Sequence, residues 1–386
     1  MNNQPKVSVV MPSLNVALYI RECIESVVNQ TLKDIEIICV DAGSTDGTLE
    51  ILKEYADKDP RISIINSDRK SYGYQMNLGM DAAAGEYMGI VETDDIADLD
   101  MFETLYNAAK ADDLDVVKGG FYYFYSKPDV KNIPAPITSA VFSKKVFCPV
   151  TDFKSPMEQA EFFNIKPTIW SAIYRLNFLR NGNIRFNETP GASFQDSSFN
   201  FKVWALAKRV RLLERCFLHY RQDNESSSIN FPGKVYCVAD EYAEMDRFLN
   251  EHPLLKGKLD GIKNRLKYDA YMWNYGRLSE PLQEEFIEFA SKDFAHEMAS
   301  GFCEKKYFPW YKWNTMLWII KDPKDFHKYK QAEKAGIQYN EAEAWQEPFA
   351  EKLKRNFRKF KTYIRVFGWK VTIRKAFRKI WRRLGA

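Results

Sequence analysis

The sequence lacks several features that would assign a protein to a well-defined class. No apolar run approaches the ~20 residues of a membrane-spanning helix, and the N-terminus lacks the charged-then-apolar layout of a signal peptide. The six cysteines form no C-x-x-C pair, which argues against a cysteine-held zinc and favours reduced thiols in a cytosolic protein. No G-x-G-x-x-G or Walker motif supports NAD binding or a P-loop function.

Acidic side chains are absent after Glu351. Residues 352–386 hold fourteen Lys or Arg, so the preceding residues carry 42 basic and 52 acidic side chains. An acidic body with a basic tail indicates that the tail has a negatively charged partner. Apolar residues recur in this tail at steps of three and four: Leu353, Phe357, Phe360, Ile364, Phe367, Ile373, Phe377, Ile380 and Leu384.

This spacing predicts two basic amphipathic helices, which would lie in the interface of an anionic membrane through residues 352–384. Nucleic-acid binding and a packed helical hairpin are the alternatives for the tail. Residues 307–318 (YFPWYKWNTMLW) add six aromatic residues of the kind found at lipid headgroups. Packing within the protein explains this aromatic stretch equally well.

The first 125 residues alternate strand-like and helix-like segments. The strand-like runs are apolar and rich in β-branched residues, and they cover residues 7–12, 35–40, 61–66, 86–91 and 115–125. Such alternation implies right-handed βαβ crossovers and a mostly parallel sheet with helices on both faces. The sequence therefore predicts an α/β fold, in which ligands gather at the carboxyl ends of the strands.

Two acidic motifs follow predicted strands. The second strand ends in DAGSTDGT, which places Asp41 at the ligand edge of the sheet. The fourth runs into VETDD, where Glu92 and Asp94 would share a face of an extended chain while Asp95 faces away. A few hard oxygen ligands at an open edge suit Mg²⁺ or Mn²⁺ shared with substrate phosphates. A solvated acidic loop that caps the next helix is the alternative.

Residues 6–125 resemble the nucleotide-binding half of the family 2 glycosyltransferases. The family's Pro-x-Tyr-Asn, Asp-Asp-Gly-Ser-Thr-Asp-Gly-Thr, Asn-Leu-Gly and Asp-x-Asp-Asp segments correspond to PSLN (12–15), DAGSTDGT (41–48), NLG (77–79) and ETDD (92–95). Leu14, Ala42 and Glu92 replace the family's Tyr, second Asp and first Asp. The resemblance covers most of the first 230 residues. It implies a GT-A (Rossmann-like) sheet flanked by helices and followed by a helical C-terminal region.

The resemblance also implies a site for a nucleotide-sugar donor and a divalent metal. The donor residues would be Pro12, Asn15, Asp41, Asn77, Glu92, Thr93 and Arg221, and the ligands of Mn²⁺ or Mg²⁺ would be Asp94, Asp95 and His219. Asp41 would accept a hydrogen bond from the base, Glu92 would contact the ribose, and Asp94 would hold the ion that bridges the diphosphate. A lone strand histidine is also compatible with a structural role, so His219 has two interpretations.

The sequence PGASFQDSSFNFK (190–202) resembles the segment that supplies the family's catalytic base. The family places an acidic residue at the start of a helix roughly a hundred residues after the metal motif, and Asp196 has that position here. A simple N-cap is the alternative for Asp196. One base and in-line attack imply inversion at the anomeric carbon. The Gln-x-x-Arg-Trp motif of processive polysaccharide synthases is missing, which implies addition of one sugar per encounter.

The resulting prediction is an inverting, metal-dependent glycosyltransferase that moves a sugar from a UDP-sugar to a hydroxyl of a lipid-linked glycan acceptor. We expect it in surface polysaccharide biosynthesis, cytoplasmic and peripheral on the inner face of the cell membrane, without a nucleic-acid partner. The predicted segments are 1–125 (nucleotide-sugar-binding half), 126–232 (acceptor and catalytic half), 233–349 (helical domain) and 350–386 (basic tail). The alternatives are a non-catalytic nucleotide-sugar or glycan-binding subunit and a nucleic-acid-binding protein that acts through the tail.

Overall fold

The computed structural model describes residues 4–137, 146–192, 194–224 and 234–337. Its strands are β1 (Val7–Ser13), β2 (Ile35–Asp41), β3 (Ile62–Asn66), β4 (Tyr87–Ile90), β5 (Ile96–Ala97), β6 (Val116–Tyr125), β7 (Lys131–Ala135), β8 (Ala172–Arg175) and β9 (Val210–Arg221). Its helices are α1 (Ile20–Val28), α2 (Thr48–Ala56), α3 (Tyr72–Ala82), α4 (Met101–Ala111), α5 (Pro156–Phe163), α6 (Leu176–Asn181), α7 (Gln195–Leu206), α8 (Cys237–Glu251), α9 (Pro253–Arg277), α10 (Glu280–Ala299), α11 (Trp310–Lys321) and α12 (Pro323–Ala335). The alternation predicted for the first 125 residues is confirmed.

The first four strands form a parallel sheet because helices cover both of its faces. All seven residues of β1 and six of the seven in β2 are buried, as expected for strands without a solvated face. β1 pairs in parallel with β2 and β4, and β2 pairs in parallel with β3. The carboxyl ends of β1, β2 and β4 therefore meet at one edge, where the polar segments around Asn15, Asp41 and Glu92 begin.

The second half of the sheet is mixed. The strand order is β3-β2-β1-β4-β8-β6-β9-β5, and β7 pairs with β6. β8 runs antiparallel to β4 and β6, whereas β9 runs parallel to β6 and antiparallel to β5. The predicted fold class is confirmed, but the sheet as a whole is less parallel than predicted. Short strands such as β8 are paired by distant segments, so the local sequence carries no signal for their direction.

Helix α3 packs closely on β1 at Gly79, within the NLG segment. A Cβ atom on Gly79 would lie 2.4 Å from Val10 Cγ1, far inside van der Waals contact. Any side chain at this position would push the helix away from the sheet. Gly79 therefore sets the position of α3, and with it the position of Tyr72 at the start of that helix.

The described chain divides into two compact units. The first contains the residues up to Phe286 together with His296–Tyr307, and the second contains Ile287–Ala295 and the residues from Phe308 onward. In the first unit, α9 carries four buried charged side chains: Asp260, Lys263, Arg265 and Lys267. In the second unit, Trp318 of α11 packs against Phe326 and Tyr329 of α12. The segment boundaries at residues 125, 232 and 349 remain a prediction.

The predicted basic tail lies outside the described residues. Within the described ranges, no helix has both the length and the apolar character needed to cross a membrane. In the aromatic stretch 307–318, Tyr307, Phe308 and Trp318 are buried, whereas Tyr311 is exposed. Packing within the protein accounts for the buried aromatic residues, and lipid contact stays a prediction for the others.

Candidate active site

The acidic turn, residues 92–95, leaves the carboxyl end of β4. The backbone N–H of Asp95 donates to Glu92 O at 3.0 Å, so the chain turns at this point. The extended geometry expected for Glu92 and Asp94 is therefore wrong, because this hydrogen bond closes a turn immediately after the strand. Thr93 Oγ1 donates to Pro12 O at 2.8 Å, which ties the turn to β1. Pro12 and Thr93, both predicted at the donor site, thus hold the acidic turn at the edge of the sheet.

Asp95 is the most deeply buried member of the acidic turn. The residue is 0% exposed, and its Oδ1 accepts the backbone N–H of Arg221 at 2.9 Å. Its Oδ2 is buried and has no hydrogen-bond partner among the described residues. Burial, reinforced by the charge of Asp94, raises the pKa of Asp95 well above its ordinary value. The fold therefore keeps a carboxyl group here without supplying all of its partners.

Arg221, at the end of β9, holds the acidic turn from behind. Its Nε donates to Asp94 O at 2.8 Å, and its Nη2 lies 2.6 Å from Glu22 Oε2. The guanidinium also contacts two rings and lies 4.8 Å from the centroids of both Tyr19 and Phe124. Because these contacts occupy a side chain that is only 3% exposed, the geometry favours a positioning role for Arg221. A direct phosphate contact stays a prediction.

Glu92 is held by Tyr72, a residue that the sequence motifs did not indicate. The Tyr72 hydroxyl donates to Glu92 Oε1 at 2.6 Å. Burial raises the pKa of Glu92 to about 8 against the opposing effect of the Tyr72 hydrogen bond, and the charges of Asp94 and Asp196 add to the rise. The influence of Asp196 on Glu92 indicates that the start of α7 lies close to the acidic turn.

Hydrogen bonds at the start of α3 produce this proximity. Ser71 Oγ donates to Thr189 O at 2.7 Å, the Gly191 N–H donates to Lys70 O at 2.7 Å, and the Tyr72 N–H donates to Gly191 O at 3.1 Å. The segment that leads into α7 is therefore fixed to the residue that holds Glu92. Two predicted site elements, more than a hundred residues apart in the sequence, are joined through Tyr72.

Asp196 lies in the first turn of α7. The N-cap position is Phe194, and no side chain caps the helix, so the alternative of Asp196 as a simple N-cap does not apply. Phe194 has a φ of 67°, a left-handed conformation that is uncommon for a bulky residue and is often found at functional sites. Burial raises the pKa of Asp196 to about 6, while hydrogen bonds from Ser197 and the charge of Lys166 oppose the rise.

The carboxyl end of β2 forms a second polar group. Asp41 is 1% exposed, and its Oδ2 accepts the N–H groups of Gly43 and Ser44, both at 2.9 Å. Asn15, at a φ of 54°, accepts the Thr45 N–H through Oδ1 at 2.9 Å. These bonds join the loops after β1 and β2. Its Oδ1 accepts the Ser44 hydroxyl at 2.5 Å and the Ser13 hydroxyl at 3.3 Å, so these four donors use the four lone-pair sites of the Asp41 carboxylate, and a donor from a ligand would replace one of them.

Two predicted site residues have their polar atoms engaged elsewhere. His219 Nδ1 lies 2.7 Å from Asn132 Oδ1, and its Nε2 lies 3.0 Å from Asp98 Oδ1. Asn77 Nδ2 donates to Phe186 O and to Glu188 Oε1, both at 3.0 Å, while Oδ1 accepts the Phe186 N–H at 2.9 Å. Both side chains thus link segments of the fold. Their metal and donor contacts stay predictions, and the geometry favours structural roles.

The acidic turn can accommodate a divalent cation together with substrate. In the part of the chain that the structure describes, no three His, Cys, Asp or Glu side chains are arranged to hold a metal ion by themselves. Magnesium sites in phosphate-transferring proteins use one or two carboxylates and are completed by substrate phosphates and water. The buried, unpartnered Oδ2 of Asp95 and the raised pKa of Glu92 fit such a site.

Comparison with known proteins assigns the chain to a family. The model of the family described as "Glycosyl transferase family 2" matches residues 8–201, which span β1 to α7 and include Asp196. The chain belongs to glycosyl transferase family 2. The protein is therefore a glycosyltransferase, and the family resemblance read from residues 6–125 is confirmed.

Two relatives of this glycosyltransferase come from bacteria. It is 33% identical over 230 residues to an uncharacterized glycosyltransferase, EpsJ of Bacillus subtilis, covering 60% of this chain and 64% of EpsJ. It is 30% identical over 302 residues to the glycosyltransferase GlyA of Streptococcus pneumoniae, covering 73% of this chain and 42% of GlyA. The chain thus spans less than two thirds of the length of these two relatives.

A solved structure of S. aureus TarS, residues 1–349, shares the fold of this glycosyltransferase. The TM-score is 0.52 at 17% identity, over 87% of this chain and 93% of that chain. At this identity the likeness concerns the fold alone, and it extends well past the residues that the family model matches.

Sequence reasoning missed three side chains near the site of this glycosyltransferase: Tyr72, Lys118 and Lys166. The sequence did hold a signal for Lys118, because it is the single charge within the otherwise uncharged strand run VVKGG (116–120). Its fully buried amino group contacts Thr168 O, Thr168 Oγ1 and Ser171 Oγ. Tyr72 and Lys166 had no local signal, since only contacts with distant segments bring them to the site.

Proposed function

We propose that this family 2 glycosyltransferase transfers a sugar from a UDP-sugar to a hydroxyl of a glycan acceptor, with inversion and with the help of a divalent cation. The observation that carries the proposal is the joining of Asp196 to the acidic turn through Tyr72. A donor whose diphosphate lay at the acidic turn would have its sugar between that turn and Asp196. An acceptor hydroxyl next to Asp196 would then be in line with the anomeric carbon.

The donor nucleotide would lie at the carboxyl ends of β1, β2 and β4. Asp41 would accept a hydrogen bond from the base, Asn15 would line the same pocket, and Glu92 would contact the ribose. A UDP donor is supported by TarS, which shares the fold with a TM-score of 0.53 in its complex with UDP-GlcNAc. The fold likeness does not extend to the sugar, so the sugar is left open.

Asp94 and Asp95 are the proposed ligands of the cation. Asp94 is partly accessible, and Asp95 would use its unpartnered Oδ2. A bound Mg²⁺ or Mn²⁺ would neutralise charge on the departing diphosphate. Arg221 would keep both carboxylates in place through its bonds to Asp94 O and Asp95 Oδ1.

Asp196 is the proposed base. Its pKa of about 6 leaves it mostly ionised at neutral pH and still basic enough to accept a proton, which is the range in which general bases are most effective. The acceptor oxygen would lose its proton to Asp196 and form a bond to the anomeric carbon. The bond from that carbon to the diphosphate oxygen would break, and its electron pair would remain on the diphosphate. A single displacement of this kind inverts the anomeric centre.

Removal of divalent ions tests the cation, and the product anomer tests the stereochemistry. We expect EDTA to abolish transfer and added Mn²⁺ or Mg²⁺ to restore it, with NMR of the product showing inversion. Transfer that persists after complete removal of divalent ions would contradict the cation role. Turnover with any nucleotide-sugar would exclude the alternative of a non-catalytic binding subunit.

We further propose that the acceptor is lipid-linked and that residues 352–384 bring the enzyme to an anionic membrane, in surface polysaccharide biosynthesis. The support is the basic amphipathic pattern of the tail, where each basic residue near an anionic leaflet contributes about 1 kcal/mol. Full-length protein should float with anionic liposomes, whereas a chain that ends at Glu351 should not. A DNA shift at the same salt concentration, without flotation, would favour the nucleic-acid alternative.

A further inference from the structure

Lys166 is an exposed residue that differs from three buried lysines of the first unit. Lys202, Lys263 and Lys267 each contact a carboxylate directly. Lys166 forms no ion pair with any residue that the structure describes. Its positive charge is therefore available to a charged group that the protein does not supply.

Aromatic rings hold the ammonium of Lys166. Its Nζ lies 4.6 Å from the ring centroid of Tyr220, 5.1 Å from that of Tyr123 and 5.3 Å from that of Phe121. Trp170 supports this group, because its ring lies 5.0 Å from Phe121 and 5.1 Å from Tyr220. Ring faces attract a cation without neutralising it, and the Lys166 side chain remains accessible to solvent. The group thus presents a positioned positive charge.

The loop that carries Lys166 is fixed by the fold. The Thr168 N–H donates to Lys166 O at 2.7 Å. Thr168 is itself bound by the buried amino group of Lys118, whose Nζ lies 2.7 Å from Thr168 Oγ1. On the other side, Asn164 Nδ2 donates to Asp269 Oδ2 at 2.8 Å. Lys166 is therefore positioned from both sides, unlike an ordinary surface lysine.

Lys166 lies near both the acidic turn and the proposed base. Tyr220, whose ring is nearest to its ammonium, directly precedes the residue whose N–H binds Asp95. Desolvation by the surrounding rings lowers the pKa of Lys166, while Asp196 and Asp95 act in the opposite direction. The lysine therefore interacts electrostatically with both carboxylates and forms an ion pair with neither. The ammonium is thus near the acidic turn, at which the donor diphosphate is proposed to lie.

We propose that Lys166 binds a phosphate group of the substrate, most directly the donor diphosphate, an inference that rests on the proposed function. When the bond from the anomeric carbon to the diphosphate oxygen breaks, the electron pair stays on that oxygen while the acceptor proton passes to Asp196. Negative charge on the diphosphate rises, and its hydrogen bond to the Lys166 ammonium strengthens. A phosphate on the acceptor is the other source of the same chemistry.

Binding of two probes to the purified full-length protein tests this inference. Isothermal titration would use UDP as the donor-like probe and glycerol 3-phosphate as the acceptor-like probe. Lys166→Met should weaken UDP binding about tenfold, as expected for loss of one charge-assisted hydrogen bond, and Lys166→Arg should retain most of it. Lys154→Met, at an exposed lysine outside the site, is the matched control and should bind UDP as the wild type does. Thermal melts check that each variant is folded.

The outcomes separate the alternatives. If Lys166→Met weakens only the binding of glycerol 3-phosphate, Lys166 still binds a phosphate group, but that phosphate belongs to the acceptor. Unchanged binding of both probes, with a lower kcat and a shifted acid limb of the pH profile, overturns the inference, because Lys166 would then act only on the charge of Asp196. A wild-type protein that binds no UDP and turns over no nucleotide-sugar overturns the proposed function itself.

Discussion

Two groups of buried charge in this glycosyltransferase differ in whether the protein supplies the balancing charge. Between helices α9 and α10, Lys263 lies 2.8 Å from Glu297 Oε1, and Lys267 contacts the same oxygen. Burial alone would raise the pKa of Glu297, but the two lysines outweigh it and lower the pKa to about 2. The carboxylate here is fully compensated within the fold.

The acidic turn shows the opposite behaviour. Burial raises the pKa of Glu92 to about 8 and that of Asp95 well above its ordinary value. The nearest arginine, Arg221, directs its guanidinium to Asp94 O and Glu22. Buried carboxyl groups whose pKa values are raised in this way are typical of functional sites, where the missing charge arrives with a ligand. The comparison teaches that Glu297 and Glu92 differ in whether the protein itself supplies the balancing charge, and their pKa values shift in opposite directions for that reason.

Replacement of the proposed base should give the largest effect on function. Asp196→Asn removes a general base, so transfer should fall about 10²–10⁴-fold while UDP binding is retained. The melting temperature should rise, because the amide removes a charge that the fold desolvates. Steady-state kinetics, UDP titration and thermal melts measure the three quantities.

The control for this variant is Asp240→Asn. Asp240 is an exposed acidic residue in the first turn of α8, and its replacement should leave transfer and stability nearly unchanged. If Asp196→Asn instead abolished UDP binding along with transfer, Asp196 would belong to the nucleotide site. It would then no longer represent the catalytic base in the comparison with Glu297.

Replacement of the compensated carboxylate should give the largest effect on stability. Glu297→Gln removes one of the carboxylates that Lys263 and Lys267 share, while Asp246 still contacts both lysines. We therefore expect a cost at or just below the about 3–5 kcal/mol of a broken buried pair. Urea denaturation measures this change in the free energy of unfolding. UDP binding by the folded fraction should be unaffected. A destabilisation below about 1 kcal/mol would show that the lysines find other partners and are not specific to Glu297.

Much of the fold could be predicted from the sequence where the signal is local. Strands such as β1 and β2 are buried on both faces, so their apolar runs stand out. The acidic turn was predicted because it lies in a short motif at the end of a strand, whereas Asp196 was predicted through the family resemblance of its segment. The partners of these residues were not predictable in the same way.

Contacts between distant segments decided what the sequence left open. Asn77 carries a family motif, yet its amide binds Phe186 and Glu188, more than a hundred residues away. Arg221 binds the acidic turn across a similar separation. No periodicity or motif encodes such pairings, so the structural roles of these two residues emerge only from the folded chain.

The activity that depends on Asp196 and the stability that depends on Glu297 should also differ in their dependence on pH. Asp196 has a pKa of about 6, above the ordinary 3.8, and must be ionised to act, so kcat/KM should fall about tenfold per unit below pH 6. Lys166 opposes this rise, and Asp196 itself raises the pKa of its neighbours Glu92, Tyr72, Tyr174, Tyr220 and Glu241.

Stabilisation by Glu297 behaves differently. Its pKa of about 2 lies below the ordinary 4.5, so this stabilisation is present above pH 4.5 and is lost as pH falls toward 2.

Activity should therefore decline at a pH where the protein is still fully folded. Rate profiles and far-UV circular dichroism, recorded over the same pH range, measure the two transitions. Coincidence of the two transitions would mean that the loss of activity reports unfolding rather than protonation of Asp196.

The smallest effect is expected at Glu241, a buried carboxyl of α8 that has no lysine in direct contact among the described residues. Burial raises its pKa to about 8, with hydrogen bonds from Ser198 and Asn187 and the charge of Lys202 acting in the opposite direction. At pH 4, below the ordinary pKa of 4.5 and the raised pKa of about 8, the group is protonated in the folded and in the unfolded chain. Glu241→Gln then replaces one neutral side chain with another and should change the free energy of unfolding by less than about 1 kcal/mol. Because the folded pKa is raised, the wild type loses stability as pH rises from 4.5 to 8. The variant should consequently be the more stable protein at pH 9. A destabilisation of several kcal/mol by Glu241→Gln at pH 7, as expected for Glu297→Gln, would show that Glu241 is ionised and compensated, and that the contrast between the two groups does not extend to this residue.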